Sequence, residues 1–215
     1  MKSGFVAIVG RPNVGKSTLL NRLINRKVSI VTEKSQTTRN KILGIFHSDE
    51  AQIIFMDTPG IHKPLQQLGK EMNAMAYGAA HSVDVTILVV DASKSFGPGD
   101  QYLIENLNVQ DRPLIIVFNK LDLARLDKTE KLKKIYHNYF NNAIFIDTVA
   151  KEGFNIQEII KNLMNILPEG PAYYPEETIT DKDEIFHIKE IIREKILLQL
   201  RQEVPHSIAI YMENI

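Results

Sequence analysis

Residues 10–17 of the chain read GRPNVGKS, and this stretch decides the fold. It matches the pattern G-x-x-x-x-G-K-[ST] and lies between an apolar run, Phe5–Val9, and a helix-length segment, Lys16–Asn25. Gly10 and Gly15 permit a tight turn that aims successive backbone N–H groups at one phosphate, and the helix start adds partial positive charge. A strand, this loop and a helix in succession predict a P-loop nucleotide-binding domain.

The side chains of the loop have expected partners on a nucleotide. Lys16 can reach the β and γ phosphates, and the Ser17 hydroxyl is placed to ligate Mg²⁺. A strand–helix turn can match the pattern by chance, but here both flanking segments fit. The loop residues predicted to contact the nucleotide are Gly10, Arg11, Pro12, Asn13, Val14, Gly15, Lys16, Ser17 and Thr18.

Outward from the loop, apolar runs alternate with helix-length segments. Such alternation predicts an α/β fold: a mostly parallel six-stranded sheet with helices on both faces, whose ligands sit at the carboxyl ends of the strands. Five runs are apolar on both faces, as buried parallel strands are, and Lys41–His47 alternates like an edge strand. The five runs are Phe5–Val9, Ile53–Met56, Val85–Val90, Leu114–Phe118 and Ala143–Ile146, and the predicted helices are Lys16–Asn25, Gln66–Ala80, Pro98–Leu107, Lys128–Phe140 and Ile156–Ile166.

Two further segments are expected at the γ-phosphate. Residues 57–60 read DTPG directly after a predicted strand, where Asp57 can hold Mg²⁺ through water and the Gly60 N–H can bond the γ-phosphate. Residues 37–39 read TTR, and we favour Thr38 over Thr37 as a further ligand; a polar loop without such a role fits equally well. The predicted catalytic groups are Lys16, Thr38 and Gly60, and the predicted Mg²⁺ ligands are Ser17, Thr38 and Asp57.

Two later motifs predict recognition of guanine. Residues 119–122 read NKLD, and the Asp122 carboxylate can accept bonds from guanine N1–H and N2–H₂, which adenine does not offer. Asn119 would brace the loop and the Lys120 stem would lie over the base. Residues 148–151 read TVAK, in which the Ala150 N–H could bond guanine O6, so Thr148, Val149 and Ala150 join the predicted site. The expected ligands are GTP and GDP.

Charge and composition narrow the class of protein. Lys and Arg number 26, as do Asp and Glu, so a whole-chain electrostatic grip on nucleic acid or anionic lipid is not expected, and DNA is not an expected partner. Residues 1–170 hold 21 basic and 17 acidic side chains, whereas residues 171–215 hold 5 and 9. The chain has no cysteine, no signal-peptide pattern and no long apolar span, which predicts a cytoplasmic protein.

The last part of the chain has a different organisation. A stretch with Pro168, Gly170, Pro171 and Pro175 predicts a linker. The following segment, Asp183–Glu203, predicts an amphipathic helix that packs within a small domain, and Ser207–Met212 predicts a strand. The apolar side of that helix holds Ile185, Ile188, Ile191, Ile192, Ile196 and Leu200.

In this order the motifs resemble those of the Era family, the bacterial GTPases of ribosome assembly. The resemblance covers nearly the whole chain. It rests on GRPNVGKSTLLN, QTTRN, DTPGIHKP, NKLD and TVAK, and continues in YPEETITD, EIIREKILLQL and EVPHSIAIYME. It implies slow, Mg²⁺-dependent GTP hydrolysis and action in small-subunit assembly and ribosomal RNA maturation. It also implies a C-terminal KH domain that binds small-subunit ribosomal RNA, and peripheral contact with the inner face of the cell membrane.

The resemblance divides the chain into a GTPase domain at 1–168, a linker at 169–181 and a KH-type α+β segment at 182–215. Two departures stand out. TVAK replaces the family's usual Ser-Ala-Lys or Ser-Ala-Leu. A KH domain cradles RNA with a G-x-x-G loop, yet no glycine follows Gly170. We therefore expect the KH domain to be incomplete, in a chain truncated within it.

Hydrolysis needs a positioned water and stabilised charge on the γ-phosphate. Ile61 stands where many relatives carry a water-holding Gln, and the nearest polar candidates are His62, Gln66 and Gln67. Relatives with P-N-x-G-K-S in this loop bind K⁺ through the Asn, which predicts K⁺ stimulation through Asn13. Two alternatives stay open: a GTPase of a related branch in tRNA modification or ribosome assembly, and an RNA-binding adaptor with incidental hydrolysis.

Overall fold

A sheet of six strands carries the fold in the computed structural model, which describes residues 1–32, 37–64, 66–109, 112–199, 208, 210 and 211. The strand order is β2-β3-β1-β4-β5-β6, with β2 antiparallel to β3 and the other neighbours parallel. The strands are β1 Lys2–Gly10, β2 Ile42–His47, β3 Ala51–Asp57, β4 Val85–Asp91, β5 Leu114–Asn119 and β6 Ile144–Asp147.

Helices cover both faces of the sheet, as predicted. One buried cluster joins the sheet to α1 and α5, and a second joins it to α2, α3 and α4. The helices are α1 Lys16–Leu23, α2 Gln67–His81, α3 Pro98–Asn106, α4 Leu126–Tyr139, α5 Ile156–Ile166 and α6 Glu184–Gln199, with a 3₁₀ turn at Leu121–Leu123.

Apolar spacing explains which residues the elements bury. In β4 every residue before Asp91 is buried, because a central parallel strand is covered on both faces. In α5 the buried residues recur at helical spacing on one side. They are Ile156, Ile159, Ile160 and Leu163.

The α/β fold and mostly parallel sheet are confirmed, with small differences at the ends of elements. The first helix ends at Leu23 rather than Asn25, because Asn25 adopts a left-handed conformation with φ of 52° that ends the helix. The helix predicted from Lys128 begins earlier, at Leu126. Most of the predicted strand Ser207–Met212 lies outside the described residues, so it stays a prediction.

Register brings the ends of the parallel strands to one edge of the sheet. Ile8 lies opposite Asp57, Asp91 lies opposite Asn119, and Phe118 lies opposite Asp147. Because β1, β3, β4, β5 and β6 all run the same way, the loops that follow them meet at this edge. The motifs predicted to bind nucleotide follow these strands.

The segment predicted as a linker lies along β2, the outer strand of the sheet. The Ile45 N–H donates to the Ile179 carbonyl over 2.9 Å, and the Leu43 N–H donates to Asp181 Oδ1 over 2.9 Å. These bonds satisfy backbone donors that an edge strand would otherwise expose.

Helix α6 buries part of its charged side and exposes much of its apolar side in the described residues. Ile185, Ile188, Ile191 and Ile192 are 38–46% exposed, whereas Arg193, Glu194 and Leu197 are at most 5% exposed. The side expected to pack within a small domain thus faces outward in the described residues. The charged side packs because its partners lie on the nucleotide-binding domain.

Candidate nucleotide-binding site

A cavity of about 1140 Å³ opens at the carboxyl edge of the sheet. The phosphate loop, the TTR threonines, Gly60, the NKLD loop and Val149 all line it, although they come from five separate parts of the chain. This convergence follows from the parallel topology, which is why ligands bind at such edges.

Two glycines shape the phosphate loop in ways that another residue could not. Gly15 has φ of 101°, and a Cβ built on it would lie 2.2 Å from Asn119 Nδ2. Gly10 has φ of 153°, and its Cβ would lie 2.5 Å from the Val89 carbonyl oxygen. The loop therefore needs glycine at both positions, both for conformation and for space.

Lys16 begins α1 and is buried beneath the loop. Its Nζ donates to the carbonyls of Gly10 at 3.3 Å and Arg11 at 2.9 Å. Burial lowers the pKa of Lys16 to about 8, and the nearby charge of Asp57 only partly opposes this shift. A phosphate at this loop would offer the ammonium group a stronger, charged partner.

Three oxygen-bearing side chains meet beneath the loop. The Ser17 hydroxyl donates to Asp57 Oδ2 over 2.6 Å, and Thr38 Oγ1 lies 3.0 Å from Ser17 Oγ and 3.4 Å from Asp57 Oδ2. Thr37 instead places its hydroxyl 2.6 Å from that of Thr32. Of the two threonines considered, Thr38 is the one beside the predicted metal ligands.

Asp57 is an unusual carboxylate because it is fully buried and only half satisfied. Burial raises its pKa, against the hydrogen bond from Ser17 and the charge of Lys16, which lower it. Its Oδ1 has no hydrogen-bond partner among the described residues. A buried carboxylate oxygen beside two hydroxyls is a donor set that fits Mg²⁺, a hard cation that binds oxygen ligands.

Ser29 is a member of this cluster that the sequence analysis missed. It is 1% exposed, and its hydroxyl donates to Asp57 Oδ2 over 2.8 Å. Asn21 fixes it, because Asn21 Oδ1 accepts from the Val28 and Ser29 N–H groups at 3.0 Å and its Nδ2 donates to the Ser29 carbonyl at 2.7 Å. The one available signal was a serine within an apolar stretch, VSIV at 28–31.

The DTPG loop is anchored closely against the phosphate loop. The Thr58 hydroxyl donates to the Ile8 carbonyl over 2.8 Å, and the Ile61 N–H donates to the Gly10 carbonyl over 3.0 Å. A Cβ on Gly60 would lie 2.7 Å from Pro12 Cα, so glycine is required for this approach. Gly60 is thereby held at the edge of the cavity.

The residues after DTPG already have contacts of their own. Ile61 is fully buried, and the backbone of His62 is bonded on both sides by the Asn73 amide, at 3.3 and 2.7 Å. Gln67 Nε2 lies 3.3 Å from Glu71 Oε1, and Gln66 is the residue that precedes α2. None of these side chains lines the cavity in the described residues.

Asn119 clamps the two base-reading motifs to the phosphate loop. Its Nδ2 donates to the Val14 carbonyl and its Oδ1 accepts from the Ala150 N–H, both over 2.9 Å. The Ala150 N–H was expected to be directed at guanine O6, so any such bond would share this donor with Asn119. Thr148 is buried and donates its hydroxyl to the Phe154 carbonyl, which shapes the loop rather than the cavity.

Lys120 bridges the NKLD loop and the phosphate loop. With φ of 65°, it directs its Nζ to Asp91 Oδ2 at 2.8 Å and to the Asn13 carbonyl at 2.5 Å. Asp122 is exposed and lines the cavity beside it. A carboxylate in that position is accessible to a base.

Arg11 lines the cavity but already has a charged partner there. Its Nη1 pairs with Asp100 Oδ2 at 2.8 Å, and the same oxygen accepts from the Gly97 N–H at 3.0 Å. The Tyr136 hydroxyl donates to Asp100 Oδ1 over 3.2 Å. Arg11 thus ties the loop to α3.

Comparison with known proteins gives consistent matches. A family model described as a 50S ribosome-binding GTPase matches residues 5–120. The GTPase Era of Alkaliphilus oremlandii is 47% identical over 212 residues, which are 97% of this chain and 71% of that protein. None of the helices in the described part of the chain has the length and apolar character that a membrane crossing needs.

Two solved structures are similar over 96% of this chain, each with a TM-score of 0.89 and 39% identity. One is a single-residue variant of Aquifex aeolicus Era bound to GDP·AlF₄⁻, of which 71% is covered. The other is Era in complex with MgGDPNP and nucleotides 1506–1542 of 16S ribosomal RNA, of which 70% is covered.

Proposed function

The chain belongs to the Era family of GTPases, and on that premise we propose that it binds GTP and GDP, hydrolyses GTP, and acts in small-ribosomal-subunit assembly through ribosomal RNA. One observation carries the proposal: the phosphate loop, Thr38, Gly60 and the NKLD loop line a single cavity. The matched relatives favour neither a related branch of GTPases nor an adaptor with incidental hydrolysis.

We propose that Ser17, Thr38 and Asp57 hold Mg²⁺, which would neutralise charge on the β and γ phosphate oxygens during hydrolysis. The unsatisfied Asp57 Oδ1 supports this assignment. Lys16 and the Gly60 N–H would bind the γ-phosphate, and their anchored positions leave little reorganisation to be done at the moment of reaction.

Guanine recognition is assigned to Asp122, with Asn119 and Lys120 holding its loop. With adenine in place of guanine, the Asp122 carboxylate would receive neither of the hydrogen bonds that guanine N1–H and N2–H₂ donate. This loss favours GTP over ATP. Val149 and Ala150 would lie at the other side of the base.

Slow turnover is expected from the residues around Gly60. Ile61 is buried and cannot orient the attacking water, and the Arg11 guanidinium is already paired with Asp100. We propose that K⁺ held with the help of Asn13, which lines the cavity, supplies the missing positive charge. Such charge is worth roughly 10³–10⁵ in rate in related GTPases.

RNA binding is proposed for the C-terminal part of the protein. We propose the division 1–168, 169–181 and 182–215 for the GTPase domain, the linker and the KH-type segment. Residues 171–215 hold 5 basic and 9 acidic side chains, so their net charge does not favour contact with RNA phosphates. Action in small-subunit assembly would put the protein in the cytoplasm; contact with the membrane stays a prediction.

The test is GTP hydrolysis by the chain in K⁺ and in Na⁺ buffer, with Lys16→Ala as the inactive control. We expect hydrolysis that needs Mg²⁺, is faster in K⁺ and is lost in the variant. Equal rates in both salts would remove the role of K⁺ and leave the GTPase assignment standing. Failure to bind fluorescent GDP in preference to fluorescent ADP would remove the assignment itself.

A further inference from the structure

Helix α6 presents two buried charged residues to the nucleotide-binding domain. Arg193 is 5% exposed and Glu194 is 4% exposed, although the isoleucines on the other side of the helix are open to solvent. Charged side chains are buried at a cost unless they find partners. Their partners are therefore informative about what α6 does.

Glu194 binds the chain just after α1. Its Oε2 accepts from Lys27 Nζ over 2.6 Å, and its Oε1 accepts from the Val31 N–H over 2.9 Å. Both carboxylate oxygens are used, and both bonds are charge-assisted.

Arg193 binds the same segment on the other side of residues 33–36, which are outside the described residues. Its Nη2 donates to the Thr37 carbonyl over 2.6 Å. Glu190 accepts from Arg193 Nε at 2.8 Å and from Nη2 at 2.6 Å, which fixes the plane of the guanidinium group. We name residues 27–32 and 37–39 the threonine segment.

The threonine segment carries two of the hydroxyls that surround Asp57. Ser29 lies two residues before Val31, and Thr38 directly follows Thr37. Ser29 Oγ is 2.8 Å from Asp57 Oδ2, and Thr38 Oγ1 is 3.4 Å from it. Arg193 and Glu194 thus hold the backbone on each side of these hydroxyls without touching the cavity's phosphate end.

We propose that Arg193 and Glu194 are positioning residues for GTP hydrolysis, which hold the threonine segment so that Ser29 and Thr38 stay at Asp57. The inference rests on the proposed function and deepens it, because it places part of the control of the metal site on α6. By thermodynamic reciprocity, Mg²⁺ and GTP binding must in turn stabilise the docking of α6.

The test is the Mg²⁺ concentration for half-maximal GTP hydrolysis in Arg193→Gln and Glu194→Gln. The matched controls are Lys189→Gln and Glu184→Gln, which make the same charge changes at less buried positions of the same helix. We expect the half-maximal Mg²⁺ concentration to rise about tenfold in the first pair, since a charge-assisted bond is lost, and to stay unchanged in the controls. GDP affinity without Mg²⁺ should be unchanged in all four, which a general loss of structure would not allow.

If the wild-type chain is active and all four variants have its half-maximal Mg²⁺ concentration, the inference is overturned while the proposed function stays intact. A wild-type chain that binds no guanine nucleotide would instead overturn the proposed function. If either Gln variant fails to fold, amide hydrogen exchange on the wild-type chain decides. Mg²⁺ and a GTP analogue should slow exchange along α6 as well as at Val31, and unchanged exchange in α6 would contradict the inference.

Discussion

At Asp57 a single buried carboxylate collects hydroxyls from three parts of the chain. Ser17, Ser29 and Thr38 all lie within 3.4 Å of Oδ2. Three bonds on one oxygen orient the carboxylate and leave Oδ1 directed elsewhere, unpartnered among the described residues. The proposed metal site thus includes one side chain, Ser29, that stands outside the recognisable motifs.

Ser29→Ala should weaken Mg²⁺-dependent hydrolysis because it removes a bond to a charged group. Such bonds are worth about 1.5–3 kcal/mol, so the half-maximal Mg²⁺ concentration should rise by at least about tenfold. The control is Ser82→Ala, whose hydroxyl donates only to the Ala79 carbonyl after α2. A Ser29→Ala variant with wild-type Mg²⁺ dependence would show that Ser29 serves folding alone.

Gly15→Ala should abolish nucleotide binding, whereas Gly78→Ala should stabilise the fold. The first forces a Cβ to 2.2 Å from Asn119 Nδ2 at φ of 101°, so it should abolish GTP binding. Nothing lies within 4 Å of a Cβ on Gly78, in α2, so the second should raise the free energy of unfolding. The expected gain is about 0.5–1 kcal/mol, since alanine is the better helix former. Calorimetric titration with GDP and denaturant unfolding measure the two effects, and GDP binding by Gly15→Ala would contradict the first.

At the scale of elements, β3 fastens the segment before α6 through one buried side chain. Gln52 is 1% exposed; its Oε1 accepts from the Tyr173 and Tyr174 N–H groups at 2.6 and 3.0 Å, and its Nε2 donates to the Tyr174 carbonyl at 2.7 Å. These bonds hold the segment in place, although its sequence has no regular apolar pattern.

Gln52→Leu should loosen this segment. The lost bonds leave buried backbone groups unsatisfied, at about 1–3 kcal/mol each, so the melting temperature should fall. Limited proteolysis should then cut within residues 169–181 faster than in the wild-type chain. Gln101→Leu is the control, because its amide bonds only to Glu105 on an exposed helix face. If Gln52→Leu is cleaved within residues 169–181 at the wild-type rate, the hydrogen bonds from β2 are sufficient to hold this segment.

At the scale of the whole molecule, α6 has two unlike sides. One holds Arg193, Glu194 and Leu197 against the nucleotide-binding domain, and Leu197 also lines the cavity. The other exposes a row of isoleucines. Near its C-terminal end, the helix also borders the cavity through Leu198, which is 58% exposed.

The double variant Ile188→Lys, Ile191→Lys should leave nucleotide binding unchanged, because these side chains are 44% and 46% exposed. Surface substitutions of this kind usually change stability by less than about 0.5 kcal/mol. Binding of the apolar dye ANS should fall. A clear loss of GDP affinity would show that this side also supports the docking of α6.

Sequence alone was sufficient for the sheet and the main motifs because both are local signals. The buried strands are apolar runs, and each of GRPNVGKS, DTPG and NKLD is a short turn that follows one strand. Parallel topology then brings the ends of those strands together without any further information. The need for glycine at positions 10 and 15 could be predicted from the motif, because few other residues adopt the backbone conformation of such a turn.

Only the tertiary structure decided which distant residues support the site. Ser29 and Asp57 are 28 residues apart, and Val31 and Glu194 are 163 apart, so no periodicity or motif relates them. The bond from the Ala150 N–H to Asn119 depends on how β5 and the loop after β6 meet. For α6, no local pattern predicted burial of the side that holds Arg193 and Glu194, because their partners on the threonine segment lie 156 to 167 residues away in the chain. Long-range packing, not local pattern, chose that side.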